Sequence, residues 1–221
     1  MSNQKSSLWG EFSTPLYAAT NSGAGQLNPA LTDLFIRRSE QGDQYANQEG
    51  VLSKQVSIFE SGWDLFKWPQ QEVQTLKAFC MEHLWQMVVR ANNYSLDEGK
   101  QLRVHTECWY HVTRFGGYIS SHNHANNSWS GVYMVDPGDN NPDYPDSGVL
   151  SFKDPRQLAL AYLDPGNVQL DRQFHLGSMN FAMQAGELMI FPSYLFHEVF
   201  PYMGQRPRIT VAFNCKFTRP D

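Results

Sequence analysis

The sequence has no run of 18 apolar residues, so a membrane-spanning helix is not expected. Met1 to Gly10 is polar and lacks an apolar stretch, which argues against a secretory signal there. Cysteine is scarce. Cys80, Cys108 and Cys215 are far apart, odd in number and form no CxxC pair. That speaks against a disulfide framework and points to a reducing, cytoplasmic setting. Charge is sparse as well: 18% of the 221 residues are charged, 17 basic against 22 acidic, for a net charge of −5. A general nucleic-acid binder would carry a basic stripe. A disordered chain would combine high charge with low hydrophobicity, yet here 41% of residues are hydrophobic and 14% aromatic. Against this weakly charged background stand seven histidines. The question they raise is whether they are scattered or assembled.

Residues 1–26 are rich in Ser, Asn, Gly and Thr and read as an N-terminal arm, with Phe12, Pro15, Leu16 and Tyr17 able to pack onto a neighbouring surface. Such an arm could also cross to a second copy, so a homodimer stays open. Residues 27–100 read as helical support. A first helix is predicted over 27–40, with Asn28 as cap, Pro29 at the first helical position and Leu31, Leu34 and Phe35 on one face. A second runs from about Pro69 to Asn93, where Val73, Leu76, Cys80, Leu84, Met87, Val88 and Ala91 recur at three- and four-residue spacing. From residue 101 the period changes to two. Val104, Thr106, Cys108, Tyr110 and Val112 alternate with His105, Glu107, Trp109 and His111. Further strands are predicted at Trp129–Val135, Gly148–Phe152, Glu187–Phe191 and Arg208–Phe217. The breaker-rich stretch Asp136–Gly148 reads as a long loop, a candidate rim or lid. The whole is read as a single domain of 1–221, with an antiparallel β-core over 101–221.

Three features carry chemistry. His122 and His124 form an H-x-H, and on an extended segment residues i and i+2 point the same way, so both imidazoles can reach one ion. A second histidine position, His197, follows a strand that ends in Phe191-Pro192. Finally, Arg208 and Thr210 share the strand face opposite Ile209, Val211 and Phe213. An arginine fork with a neighbouring hydroxyl suits a carboxylate. Each feature alone also has a plain structural reading: a surface turn, a satisfied core histidine, a strand-end charge.

Taken in order, these features resemble the 2-oxoglutarate/Fe(II)-dependent oxygenases, and more narrowly members of unassigned substrate with an H-x-H-x-N…SGVYY pattern. The likeness lies in Trp109–Tyr118 (WYHVTRFGGY), His122–Asn126 (HNHAN), Trp129–Val135 (WSGVYMV), Gly148–Phe152 with Asp154–Arg156, Gly186–Ser193 (GELMIFPS), His197 and Arg208–Asn214 (RITVAFN), and in the arm at Phe12–Tyr17. It implies a mainly β fold, a double-stranded β-helix or jelly roll packed on one side by helices. It also implies Fe(II), 2-oxoglutarate as co-substrate and O2, with hydroxylation of a small molecule or peptide. The family's usual ligand motif is H-x-Asp/Glu, so His124 is a departure. Either His122, His124 and His197 form a three-histidine site, or His124 is the first ligand and Asn126 takes the acid's position. Imidazole is the better ferrous ligand, which favours the first. The distal carboxylate of 2-oxoglutarate would pair with Arg208 and Thr210, with Tyr133 or Tyr110 adding a hydroxyl. Glu198 and Asp136 are candidates to replace the missing negative charge from a distance.

Two rivals remain. A cupin metalloenzyme shares the architecture: Gly116 to His124 and Gly186 to His197 partly fit cupin motifs. The glutamate expected after H-x-H is missing, however, and Arg208 and Thr210 would have no task. A non-catalytic jelly-roll binding protein is the second, since this architecture hosts many functions.

Overall fold

The computed structural model describes residues 8–48, 57–139, 141–156 and 162–219. Among the described residues, ten strands form two antiparallel sheets. β1 is Tyr17–Thr20, β2 Ile58–Glu60, β3 Arg103–Thr113, β4 Ile119–His122, β5 Trp129–Asp136, β6 Leu150–Phe152, β7 Met179–Phe181, β8 Glu187–Pro192, β9 His197–Val199 and β10 Arg208–Thr218. The larger sheet has the order β1-β8-β5-β10-β3-β2 and the smaller β4-β9-β6-β7. The two sheets enclose one apolar layer made of Met134, Leu150, Phe152, Met183, Met189, Phe191 and Leu195. This is the jelly-roll architecture.

Helices α1 (Ala24–Glu40) and α2 (Gln71–Asn92) cover the outer face of the larger sheet, and a short α3 (Leu96–Lys100) follows. The stripe Val73, Leu76, Cys80, Leu84, Met87 and Val88 is buried there, as its spacing requires. Asn93 ends α2 in the left-handed conformation (φ 53°), a common way to close a helix. Phe35 of α1 stacks on Tyr110 of β3 at 4.1 Å and 11°. Phe213 of β10 needs the missing side chain at Gly131: a Cβ there would lie 2.2 Å from its ring. Because strand side chains alternate, each long strand feeds two layers. On β10, Ile209, Val211, Phe213 and Cys215 go to the helices, while Arg208, Thr210, Ala212 and Asn214 line the barrel interior.

Several expectations are corrected. α1 begins at Ala24, three residues before the predicted start, and Pro29 lies inside it. Asn28 is no cap; its Nδ2 donates to the Val135 carbonyl at 2.7 Å, tying the helix to β5. A residue type that favours caps serves here as a tertiary anchor. Part of the arm is strand β1, paired with β8, and Ile58–Glu60 of the helical segment is strand β2, paired with β3. The Asp136–Gly148 loop, read as a rim or lid, is tied down at Asp139 and Asn141. Asp139 accepts hydrogen bonds from Tyr202 Oη and from the backbone N–H groups of Gln205 and Arg206, and Asn141 donates to Met203 O.

Candidate active site

β4 and β9 pair so that His122 lies directly opposite His197. His124, two residues past β4, is set by its backbone N–H donating to Ser193 O at 2.9 Å. The three rings gather, with centroid separations of 4.3, 4.9 and 5.1 Å. One nitrogen from each lies within 4.8 Å of the others. Two of the rings have a fixed tautomer. His122 Nδ1 is 2.8 Å from Ser120 O and His197 Nδ1 is 2.9 Å from Leu195 O. A carbonyl can only accept, so Nδ1 carries the proton and Nε2 keeps its lone pair for a metal. Burial disfavours the charged form of all three: His122 is shifted down, His124 to about 4 and His197 to about 3, the neighbouring imidazoles adding to the effect. Three neutral, converging imidazoles fit a divalent transition-metal ion of the iron or zinc type.

These shifts have a consequence for the metal-free protein. The folded values lie below the ordinary 6.5, so the unfolded chain takes up protons first. Stability is therefore full above about pH 6.5 and is lost as pH falls toward 4. His197 alone should contribute a loss on the order of 2 kcal/mol by about pH 5. Thermal unfolding of the metal-free protein between pH 7 and 5 checks this, since few carboxylates titrate there; a flat melting temperature would contradict it.

Across the interior from the histidines stands Arg208. It is 4% exposed, and among the described residues nothing accepts a hydrogen bond from its guanidinium and no carboxylate pairs with it. Burial pulls its pKa down to about 10, so it still carries its charge at neutral pH. Thr210, also buried, is the next inward residue on β10. The cavity between Arg208 and the histidines is walled by Trp109, Ile119, Leu150 and Val199. An uncompensated buried cation of this kind calls for an anion.

Two groups escaped the sequence reading. Glu60 of β2 is buried and accepts from Asn47 Nδ2 at 2.6 Å; its other oxygen meets His111 Nε2 at 2.9 Å. His111 lines the cavity, so Glu60, the one carboxylate buried among the described residues, reaches the cavity wall through it, brought there by β2–β3 pairing. Glu198 and Asp136 do not serve in that way: Glu198 pairs with Lys153, and Asp136 with Arg206 at 3.2 Å. The second group is Asn214, joined through Ser130 to Ser193.

Three expected site residues are elsewhere. Tyr133 and Tyr110 lie on the helix-facing side of their strands; Tyr133 Oη donates to Asn28 Oδ1 at 2.8 Å. Strand alternation puts them opposite Val132 and His111, which do line the cavity, so they cannot offer it a hydroxyl. Asn126 is exposed in a left-handed turn (φ 69°), outside the residues that line the cavity. Of the tryptophans, Trp109 walls the cavity and Trp129 packs against the helix-side core.

Residues 107–214, just under half of the chain, match the family described as "Putative 2OG-Fe(II) oxygenase". Among curated proteins none matches the sequence significantly. Solved structures share the fold. A prolyl-4-hydroxylase from Pseudomonas putida aligns with TM-score 0.57 at 18% identity, covering 94% of each chain. A prolyl hydroxylase from Trichoplax adhaerens, solved with a hypoxia inducible factor peptide, gives 0.58 at 11% identity over 90% of this chain and 82% of its own. The non-heme alpha ketoglutarate dependent carbocyclase SnoK from nogalamycin biosynthesis gives 0.61 at 10% identity over 93% and 82%. The segment that matches this family runs from Glu107 on β3 to Asn214 on β10, and so holds both the three histidines and Arg208.

Proposed function

We propose that the protein couples oxidative decarboxylation of 2-oxoglutarate to hydroxylation of a small molecule or peptide, with His122, His124 and His197 holding Fe(II) and Arg208 with Thr210 holding the co-substrate. The observation that carries this reading is the buried Arg208, unpaired among the described residues, facing the three histidines across one cavity. A cupin that used no dicarboxylate would gain nothing from such a charge, and a site without an anion would be destabilised by it.

Bound iron supplies the oxidative chemistry, in which 2-oxoglutarate, O2 and a substrate C–H yield succinate, CO2 and a hydroxylated product. The chain's own residues position and insulate. Arg208 and Thr210 orient the dicarboxylate by its distal end, which leaves the 2-oxo acid end toward the histidines. Trp109, Ile119, Leu150 and Val199 keep the cavity apolar between the two poles, which strengthens each polar contact within it. Glu60 holds the His111 ring in place through the 2.9 Å contact between its Oε2 and His111 Nε2. The prolyl hydroxylases among the structural relatives make a peptide one substrate class to consider, and the carbocyclase a small molecule. Three free, buried cysteines suit a reducing cytoplasm. Among the described residues no helix is long and apolar enough to cross a membrane.

The test is spectroscopic. Anaerobic addition of Fe(II) and then 2-oxoglutarate should produce a weak visible charge-transfer band, and admission of O2 should release succinate. Iron uptake with neither band nor succinate would favour a cupin-type enzyme, and no iron uptake a binding protein.

A further inference from the structure

Asn214 is a second polar pole of the same cavity. It is 6% exposed, faces inward on β10 and lines the cavity together with Arg208 and Thr210. Its carbonyl oxygen is already used: Ser130 Oγ donates to Asn214 Oδ1 at 2.7 Å. Ser130 Oγ in turn lies 2.8 Å from Ser193 Oγ. With Ser130 donating to the amide, Ser193 must donate to Ser130, so the chain of hydroxyls runs one way and fixes the plane of the amide. What remains is Nδ2 with its two protons. Among the described residues nothing accepts from it, although Asn214 is more than nine-tenths buried. The donor opens onto the cavity, where a bound acceptor can meet it.

The position says what that something is. Ser193 is the residue whose carbonyl receives the His124 backbone N–H, so the Ser193–Ser130–Asn214 chain sits at the histidine end of the cavity. Arg208 is at the other end, against Gly148 and Tyr202. Arg208 and Asn214 lie six positions apart on one strand face, a rise of about 20 Å between their Cα atoms. β10 thus presents a cation at one end and a neutral donor at the other, which matches a molecule with an anionic group at each end.

Resting on the oxygenase reading above, we propose that Asn214 is a co-substrate-binding residue whose amide N–H donates to the 1-carboxylate end of 2-oxoglutarate, with Ser130 and Ser193 as its positioning residues. A neutral amide is suited to this place. An arginine would repel the metal ion, whereas an aspartate would repel the carboxylate and compete for the metal.

The experiment measures binding rather than turnover. The protein is loaded with Mn(II), and 2-oxoglutarate affinity is measured by calorimetry for wild type, Asn214→Ala, Asn214→Asp, Ser130→Ala and Arg208→Ala. Loss of one hydrogen bond to a charged group should weaken binding about ten- to hundredfold in Asn214→Ala, with Mn(II) affinity unchanged. Asn214→Asp should lose more than Asn214→Ala, and Ser130→Ala, which keeps the amide but frees it to rotate, should lose less. A purely structural asparagine would show no such order. Wild-type affinity in both Asn214 variants, with Arg208→Ala still impaired, would overturn this proposal and leave the oxygenase reading standing. Wild-type affinity in Arg208→Ala as well would overturn both. Should Asn214→Ala fail to fold, Asn214→Ser keeps an acceptor for Ser130 and carries the same expectation.

Discussion

Arg208→Ala should abolish 2-oxoglutarate turnover while the protein still takes up Fe(II). The guanidinium is buried and, among the described residues, unpaired, so the co-substrate's distal carboxylate would be its partner. Truncating one partner of a buried, hydrogen-bonded charge pair costs about 2–5 kcal/mol, which is a roughly 30- to several-thousandfold loss of affinity. The histidines are on other strands and keep their geometry. Succinate release and anaerobic iron binding, measured on the same preparation, separate the two effects; unchanged succinate production would sink the assignment. The same charge has a second signature. In the absence of an anion it destabilises the fold, because burial without a partner disfavours the charged form and pulls the pKa down to about 10. Arg208→Met should therefore melt above wild type when no co-substrate is present. Adding 2-oxoglutarate to the metal-loaded proteins should raise the wild type and leave the variant where it was.

His197→Ala should lose iron outright. His197 is the most buried of the three histidines and the one opposite His122 on the β4–β9 ladder, with Phe152 and Phe191 packed against its ring. Removing one of three imidazoles leaves two neutral donors, too few to hold a labile ferrous ion at micromolar concentration. An anaerobic titration followed by metal analysis should show occupancy near zero, and full occupancy would mean that the distal ligand is another residue. Two companion variants decide how the first ligands are shared. If His122, His124 and His197 form the triad, His122→Ala loses iron and Asn126→Ala does not. Loss in Asn126→Ala with retention in His122→Ala would establish the His124/Asn126 arrangement instead.

Much of this site was legible in the sequence, because its members follow local rules. H-x-H on an extended segment puts His122 and His124 on one side, and alternation along β10 separates Arg208 and Thr210 from Ile209 and Val211. The same rule also corrects the reading at Tyr133 and Tyr110. Tyr110 alternates with His111, and Tyr133 with Val132, so a strand that turns His111 and Val132 inward must turn both tyrosines toward the helices. Glu60 and Asn214 were beyond local rules. Glu60 reaches His111 only because a three-residue strand pairs with β3 across 51 positions, and nothing near Glu60 signals that pairing. Asn214 sat in plain view on the inward face of β10; its role depends on Ser130 and Ser193, which are distant in sequence. Strands β1, β2, β7 and β9 have three or four residues each, too few for a period to emerge.

The order of the larger sheet places β10 between β5 and β3, yet β10 follows every other described strand. Until Arg208–Thr218 has inserted, β3 and β5 each present an open edge, and the cavity lacks Arg208 and Thr210. The longest ladder, which pairs Arg103 with Thr218 and Thr113 with Arg208, is closed over roughly half the chain. Pairings so distant in sequence make folding slow and leave a partly assembled species prone to edge-to-edge association. The cavity across which Arg208 faces the three histidines is thus complete only once β10 has taken its place in the sheet.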